Sequence, residues 1–285
     1  MSGVERVGVV GCGQMGAGIA EACALAGLDV VIVSSSPESS KNGRARLERA
    51  FARAADKSRI TADEAAQALD RIAFETEFDT LADRHLVVET VVEDEPTKLR
   101  VLQELDRALA ADALIASNTS SIPIARLARA TGRPGQVVGT HFFYPVPVMP
   151  LVELTGSLLT AEQTCARTAE FLTERLGKTV IRTPDRAGFV VNVLFVPYLM
   201  SAMRMLESGF ASAADIDAAM VARCGHPMGP LALADMIGLD TLVTVADSLY
   251  AEFQQPLYAA PPLLRRMVES GWLGRKSGRG FHVYP

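Results

Sequence analysis

Three glycines between two short apolar runs constrain this chain more than any other feature. Residues 6–33 read RVGVVGCGQMGAGIAEACALAGLDVVIV. Residues 7–10 are apolar and of strand length, and Gly11, Gly13 and Gly16 follow in G-x-G-x-x-G order. Met15, Ile19, Ala22, Cys23 and Ala26 then recur at helical spacing, Gly27 ends the helix, and residues 30–33 are apolar again. The pattern predicts a strand-turn-helix-strand unit. Gly11 permits the tight turn, Gly13 lets a pyrophosphate approach the backbone, and Gly16 lets the helix pack on the strand, with its N-terminus facing the negative charge. Gln14 and Met15 lie inside the same cofactor-facing turn. The expected fold class is α/β, beginning with a Rossmann-type dinucleotide-binding domain.

One part of the NAD pattern is missing. An acidic residue ordinarily ends the second strand and bonds the ribose 2′-hydroxyl. Here Ser34, Ser35 and Ser36 stand there, while Asp29 precedes the strand and Glu38 follows Pro37. With no carboxylate to repel a 2′-phosphate, and with Lys41 and Arg44 downstream, the cofactor is NAD or NADP.

At 285 residues, with 49% hydrophobic and 21% charged content, the chain has enough material for a sizeable core. A net charge of -5 argues against nucleic acid as the main partner. Cys12, Cys23, Cys165 and Cys224 lack metal-type pairing, so no metal site is expected, and they read as reduced packing residues of a cytoplasmic protein. The first strand starts within about six residues, which leaves no room for a signal peptide. The most apolar later run, residues 189–205, is interrupted by Asn192, Pro197 and Arg204 and is short for a membrane span.

Residues 41–59 form an amphipathic pattern with Leu47, Phe51 and Ala54 on one face and basic residues elsewhere. Residues 63–69 continue as a second helical piece, with Thr61 capping ahead of Glu64. This insertion, about 41–69, reads either as a mobile hairpin over a substrate or as a solvated helix pair. Strands are expected at 71–74, 85–92, 114–116, 137–143, 151–154 and 179–182, and helices at 97–110, opened by Pro96, and 160–176. Beyond 184–188 the periodicity is helical. The expected domains are therefore 1–185, dinucleotide-binding, and 186–285, all-α. A helix as apolar as 189–207 needs cover on more than one side, which predicts a homodimer through the second domain.

Oxidation of an alcohol by a nicotinamide sends a hydride to the cofactor and a proton to a base. His141 is the best base, because its ordinary pKa lies near neutrality and it ends a strand near the crevice. His85 opens a strand at the far side of the sheet, His226 sits in a proline-rich junction, and His282 lies in the tail. Glu153, in the apolar run PLVEL, needs a partner if buried, and pairing of its strand with that of His141 makes it the orienting carboxylate. Ser117, at a strand's carboxyl end, either bonds a substrate oxygen or caps the next turn. Asn192, polar in an otherwise apolar helix, also calls for a partner.

With these residues in place the chain resembles the 3-hydroxyacyl-CoA dehydrogenases, particularly the bacterial 3-hydroxybutyryl-CoA branch. The segments are VGVVGCGQMGAGIAE, VVETVVEDEPTK, IASNTSSIPI, GTHFF, PVPVMPLVEL, GFVVN, HPMGPLALADMIGLDT and GRKSGRGF. The resemblance implies a two-domain dimer that binds an acyl-CoA thioester in an interdomain cleft and exchanges a hydride at C3. It implies His141 as base, Glu153 as its orienting partner, and Ser117 and Asn192 on the substrate oxygens. It also implies dinucleotide contacts from Glu93, Lys98 and Lys276, a CoA-phosphate contact from Lys57, and therefore a CoA-facing role for the basic arm. The chain departs from the family at Ser34, at Tyr144, where an asparagine next to the nicotinamide is usual, at Val193, usually arginine, and at Ala50, often serine. An acyl-carrier-protein handle on the substrate, or cofactor binding without turnover, are the competing readings.

Overall fold

The computed structural model describes residues 3–284, and the chain divides into two compact units, Met1–Asp185 and Arg186–Pro285. In the first unit β1 (Arg6–Val10), β2 (Asp29–Val33), β3 (Ile72–Glu75), β4 (Leu86–Glu89), β5 (Leu114–Ser117), β6 (Val137–Phe142), β7 (Leu151–Gly156) and β8 (Thr179–Pro184) form one sheet, ordered β3-β2-β1-β4-β5-β6-β7-β8. Every neighbouring pair is parallel except β6–β7. The chain winds outward from β1 to β3 and returns to the other side of β1 as β4. That reversal opens a crevice at the carboxyl ends of β1 and β4, where such sheets bind ligands.

The helices α1 (Gln14–Leu25), α2 (Pro37–Asp56), α3 (Ala62–Asp70), α4 (Glu95–Ala108), α5 (Ile124–Ala128) and α6 (Glu162–Glu170) cover both faces. Strand side chains alternate between two cores. Val7, Val9, Val88, Val138 and Val152 pack with Ile19 and Cys23 of α1 and with Leu47 and Phe51 of α2. Val10, Val87, Ile115 and Val137 pack with Leu102 and Leu105 of α4 and Ile124 of α5. The second unit is helical: α7 (Val191–Glu207), α8 (Ala213–Cys224), α9 (Pro230–Ile237), α10 (Leu239–Phe253) and α11 (Pro262–Glu269) share a core around Leu199, Met203, Leu231, Leu242 and Leu264.

Three expected elements differ from the structure, and one helix was not expected. The basic helix begins at Pro37, earlier than residue 41, because the Ser36 hydroxyl caps it by accepting the Ser39 N–H at 3.1 Å. The strand drawn over 85–92 is only Leu86–Glu89, because the Glu89 carboxylate takes the Val91 N–H at 2.7 Å and turns the chain. The helix drawn over 160–176 is α6 followed by a π-helical turn at Phe171–Arg175. The short α5 after Pro123 gave no periodic signal; Asp185 caps it from far along the chain, accepting the N–H groups of Ile124 and Ala125 at 2.7 and 2.8 Å. By contrast, Thr61 and Glu64 form the reciprocal capping box that their spacing announces.

Candidate active site

The glycine loop is built to admit a ligand. Gly11, at φ 96°, turns the chain off β1, and its N–H donates to Val33 O at 2.8 Å. A Cβ on Gly16 would lie 2.0 Å from Gly11 O, whereas one on Gly13 would meet nothing within 4 Å. Gly16 is thus required by packing, and Gly13 leaves open space over the backbone. No side chain caps α1, so its first-turn N–H groups face that space with their dipole. These features fit a dinucleotide pyrophosphate. Gln14 and Met15 form the first turn of α1; Gln14 is exposed and Met15 half-buried. Thr90, a residue the sequence did not single out, stitches the loop to β4 by donating to Val10 O and Gly11 O at 2.9 and 3.0 Å. Ser34 follows β2 almost fully buried, at 2% exposure, and its Oγ has no partner among the described residues.

Across the sheet, Val10, Glu89, Ser117 and Gly139 stand in one register row. Glu89 is buried, and Lys98 reaches it from α4, also buried, with Nζ 2.8 and 3.0 Å from the two carboxylate oxygens. The Ser117 hydroxyl donates to Glu89 Oε2 at 2.5 Å. Lys98 also meets Glu93 at 3.3 Å and Val91 O at 3.4 Å, which spends its donors inside the protein. In this structure Lys98 is a buried organiser of two carboxylates. Glu93 Oε1 gathers the following loop, accepting from Thr119 Oγ1, Ser120 N, Ser121 N and Ser121 Oγ at 2.6 to 3.1 Å. Burial would raise the Glu93 carboxyl, but Lys98 and these donors outweigh it and hold it below its ordinary range. Glu89 was legible by the same signal as Glu153: a carboxylate in an otherwise apolar strand.

Two residues beyond Gly139, His141 falls on the same face of the sheet as Ser117. The antiparallel register sets His141 directly opposite Glu153, with Nδ1 2.7 Å from Oε2. Glu153 is buried and β7 is flanked by β8, so it is not an exposed carboxylate on an edge strand. The carboxylate selects the tautomer with Nδ1 protonated toward Glu153, which leaves the lone pair on Nε2. The Phe143 ring lies 4.5 Å from the imidazole. His85 stays remote from this dyad at the amino end of β4, where Nδ1 accepts the Glu5 N–H at 3.1 Å.

Between α1, α2 and the loop after β6 lies a cavity of about 620 Å³, lined by Gln14, Arg46, Arg53, Lys57, Tyr144 and Val148 among others. Ala50 lines it as well, and Tyr144 is 59% exposed at its edge. Lys178 anchors the Tyr144 loop from behind, with its buried Nζ donating to Val146 O and Met149 O at 2.6 and 2.9 Å. In the second unit Asn192 stands in the first turn of α7, its N–H on Gly188 O at 3.1 Å; Lys276 Nζ pairs with both oxygens of Asp240 at 2.6 Å; Val193 packs against the helical core.

Comparison with known proteins agrees with this geometry. Residues 6–186 match the family description "3-hydroxyacyl-CoA dehydrogenase, NAD binding domain", and residues 188–284 match "3-hydroxyacyl-CoA dehydrogenase, C-terminal domain". A 3-hydroxybutyryl-CoA dehydrogenase of Mycobacterium tuberculosis is 53% identical over 99% of both chains. The human mitochondrial hydroxyacyl-coenzyme A dehydrogenase is 38% identical over 99% of this chain and 91% of its own. The crystal structure of M. tuberculosis FadB2 superposes with a TM-score of 0.98 at 53% identity, covering 99% of each chain. That of the (S)-3-hydroxybutyryl-CoA dehydrogenase PaaH1 from Ralstonia eutropha gives 0.94 at 44%, again covering 99% of each. With both halves matched in order and relatives this similar along nearly the whole length, the chain belongs to the 3-hydroxyacyl-CoA dehydrogenase family.

Proposed function

We propose that the protein interconverts a short 3-hydroxyacyl-CoA and the 3-ketoacyl-CoA, with His141 as base in oxidation and acid in reduction. The single observation that carries this is the His141–Glu153 contact, a histidine oriented by a buried carboxylate at the crevice end of a dinucleotide-binding sheet. The nicotinamide, when bound, takes or returns the hydride at C3. His141 Nε2 removes the hydroxyl proton, and Glu153 stabilises the imidazolium that results. Asn192 is proposed to hold a substrate oxygen, and Lys276 to meet the dinucleotide. Glu93 is proposed to meet the dinucleotide too, with Lys98 and Ser117 supporting it from behind. CoA phosphates are assigned to the cationic side of the cavity at Arg46, Arg53 and Lys57. The names of the relatives specify CoA thioesters, and nothing in the site favours a carrier-protein handle.

NAD(H) is the family's cofactor, as its matched domain is named. Ser34 removes the charge that would repel a 2′-phosphate, so NADP(H) is proposed to be accepted as well. A homodimer through the helical unit is proposed because Leu194 and Phe210 remain 72% and 79% exposed. The test is reduction of acetoacetyl-CoA with NADH and with NADPH. Turnover with both cofactors supports the reading; none with either overturns it, and strict NADH dependence overturns the Ser34 argument alone.

A further inference from the structure

Asn118 follows β5 at the crevice end of the sheet and is half-buried. Its backbone N–H donates to Glu89 O at 2.8 Å, and its side-chain Oδ1 accepts the Phe142 N–H at 3.0 Å. Backbone pairing between β5 and β6 stops at Ser117 and Gly139, so the Asn118 side chain replaces the next rung and holds the peptide joining His141 to Phe142. An N–H can only donate, so the atom facing Phe142 is the amide oxygen and the orientation of the amide is fixed. Its nitrogen, with two donors, has no other partner among the described residues, and it is not among the sealed polar atoms. A pre-oriented N–H pair therefore lies at the carboxyl end of β5, held to the peptide that joins His141 to Phe142.

We infer that Asn118 is a binding residue of the active site, whose amide N–H groups donate to an acceptor oxygen of the bound reactants, either the nicotinamide carboxamide or the thioester substrate. This rests on the dehydrogenase reading. The neighbouring Ser117 hydroxyl donates to Glu89 Oε2 at 2.5 Å. A fixed donor that needs no reorganisation when the ligand arrives is the arrangement that binds an acceptor oxygen most economically.

The test uses two substitutions that separate holding from donating. Asn118→Asp keeps an oxygen to accept the Phe142 N–H and removes both donors; Asn118→Ala removes everything. NADH affinity is read by fluorescence titration, substrate KM and kcat by acetoacetyl-CoA reduction, and integrity by thermal unfolding. One lost hydrogen bond corresponds to about a tenfold loss. The expected result is a loss of about that size in both variants, with Asn118→Asp melting as the wild type does. A loss in NADH affinity assigns the carboxamide, and a loss in KM or kcat alone assigns the substrate oxygen. If Asn118→Asp behaves as wild type while Asn118→Ala is impaired, the residue only holds Phe142 and the inference is overturned. It is equally overturned if Asn118→Asp alone is impaired, which would be an effect of charge. Wild-type enzyme that binds NADH but turns over no thioester would sink the dehydrogenase reading and leave the affinity comparison to decide Asn118.

Discussion

At the scale of single residues, buried ionisable groups around the sheet carry the chemistry and much of the local stability. His141→Gln is expected to cut kcat by about 10²–10⁴-fold, the usual worth of a positioned general base, with NADH affinity unchanged in a fluorescence titration. Glu153→Gln keeps the shape and loses the charge, and is expected to lower kcat at least about tenfold, the value of a charge-assisted hydrogen bond. Lys98→Met leaves the Glu89 carboxylate buried and unpaired and should destabilise the fold by about 3–5 kcal/mol in urea unfolding. Glu93 gives a pH signature. Its folded carboxyl lies below the ordinary 4.5, so its stabilisation is complete above that value and is lost as pH falls through the lower, folded one. The stability gap between wild type and Glu93→Gln is therefore expected to hold at neutral pH and to close below about 4.5 in acid melts. Cys12 and Cys23 are buried with thiols pushed up to about 11 and about 12, and Cys165 is buried too, so native labelling should modify Cys224 alone.

At the scale of elements, the glycine loop and the arm α2 carry separable tasks. Gly16→Ala puts a methyl 2.0 Å from Gly11 O and is expected to abolish dinucleotide binding in the same titration. Arg53→Ala and Lys57→Ala are expected to raise KM for acetoacetyl-CoA severalfold while leaving KM for a pantetheine thioester, which lacks the nucleotide phosphates, unchanged. The loop and the long helices were legible in the sequence because their signals are local: glycine spacing, apolar periodicity and caps. The His141–Glu153 pairing was legible only conditionally, since a polar residue in an apolar run announces a missing partner but not which strand supplies it. The bonds that Asn118 and Asp185 make were not legible for a plainer reason. Each completes hydrogen bonding for a segment distant in sequence, and the need for it exists only once the sheet has formed.

At the scale of the whole molecule, two units of different architecture serve one proposed reaction. The first holds the dinucleotide-type crevice, the proposed base and the cationic cavity; the second holds the proposed contacts Asn192 and Lys276 and an apolar surface with Leu194 and Phe210 exposed. Among the described residues no helix is long and apolar enough to cross a membrane. The account predicts that acetoacetyl-CoA oxidises NADH in the presence of the wild-type protein and that His141→Gln, still binding NADH, does not support this. Absence of wild-type turnover, or near-normal turnover by His141→Gln, would contradict it.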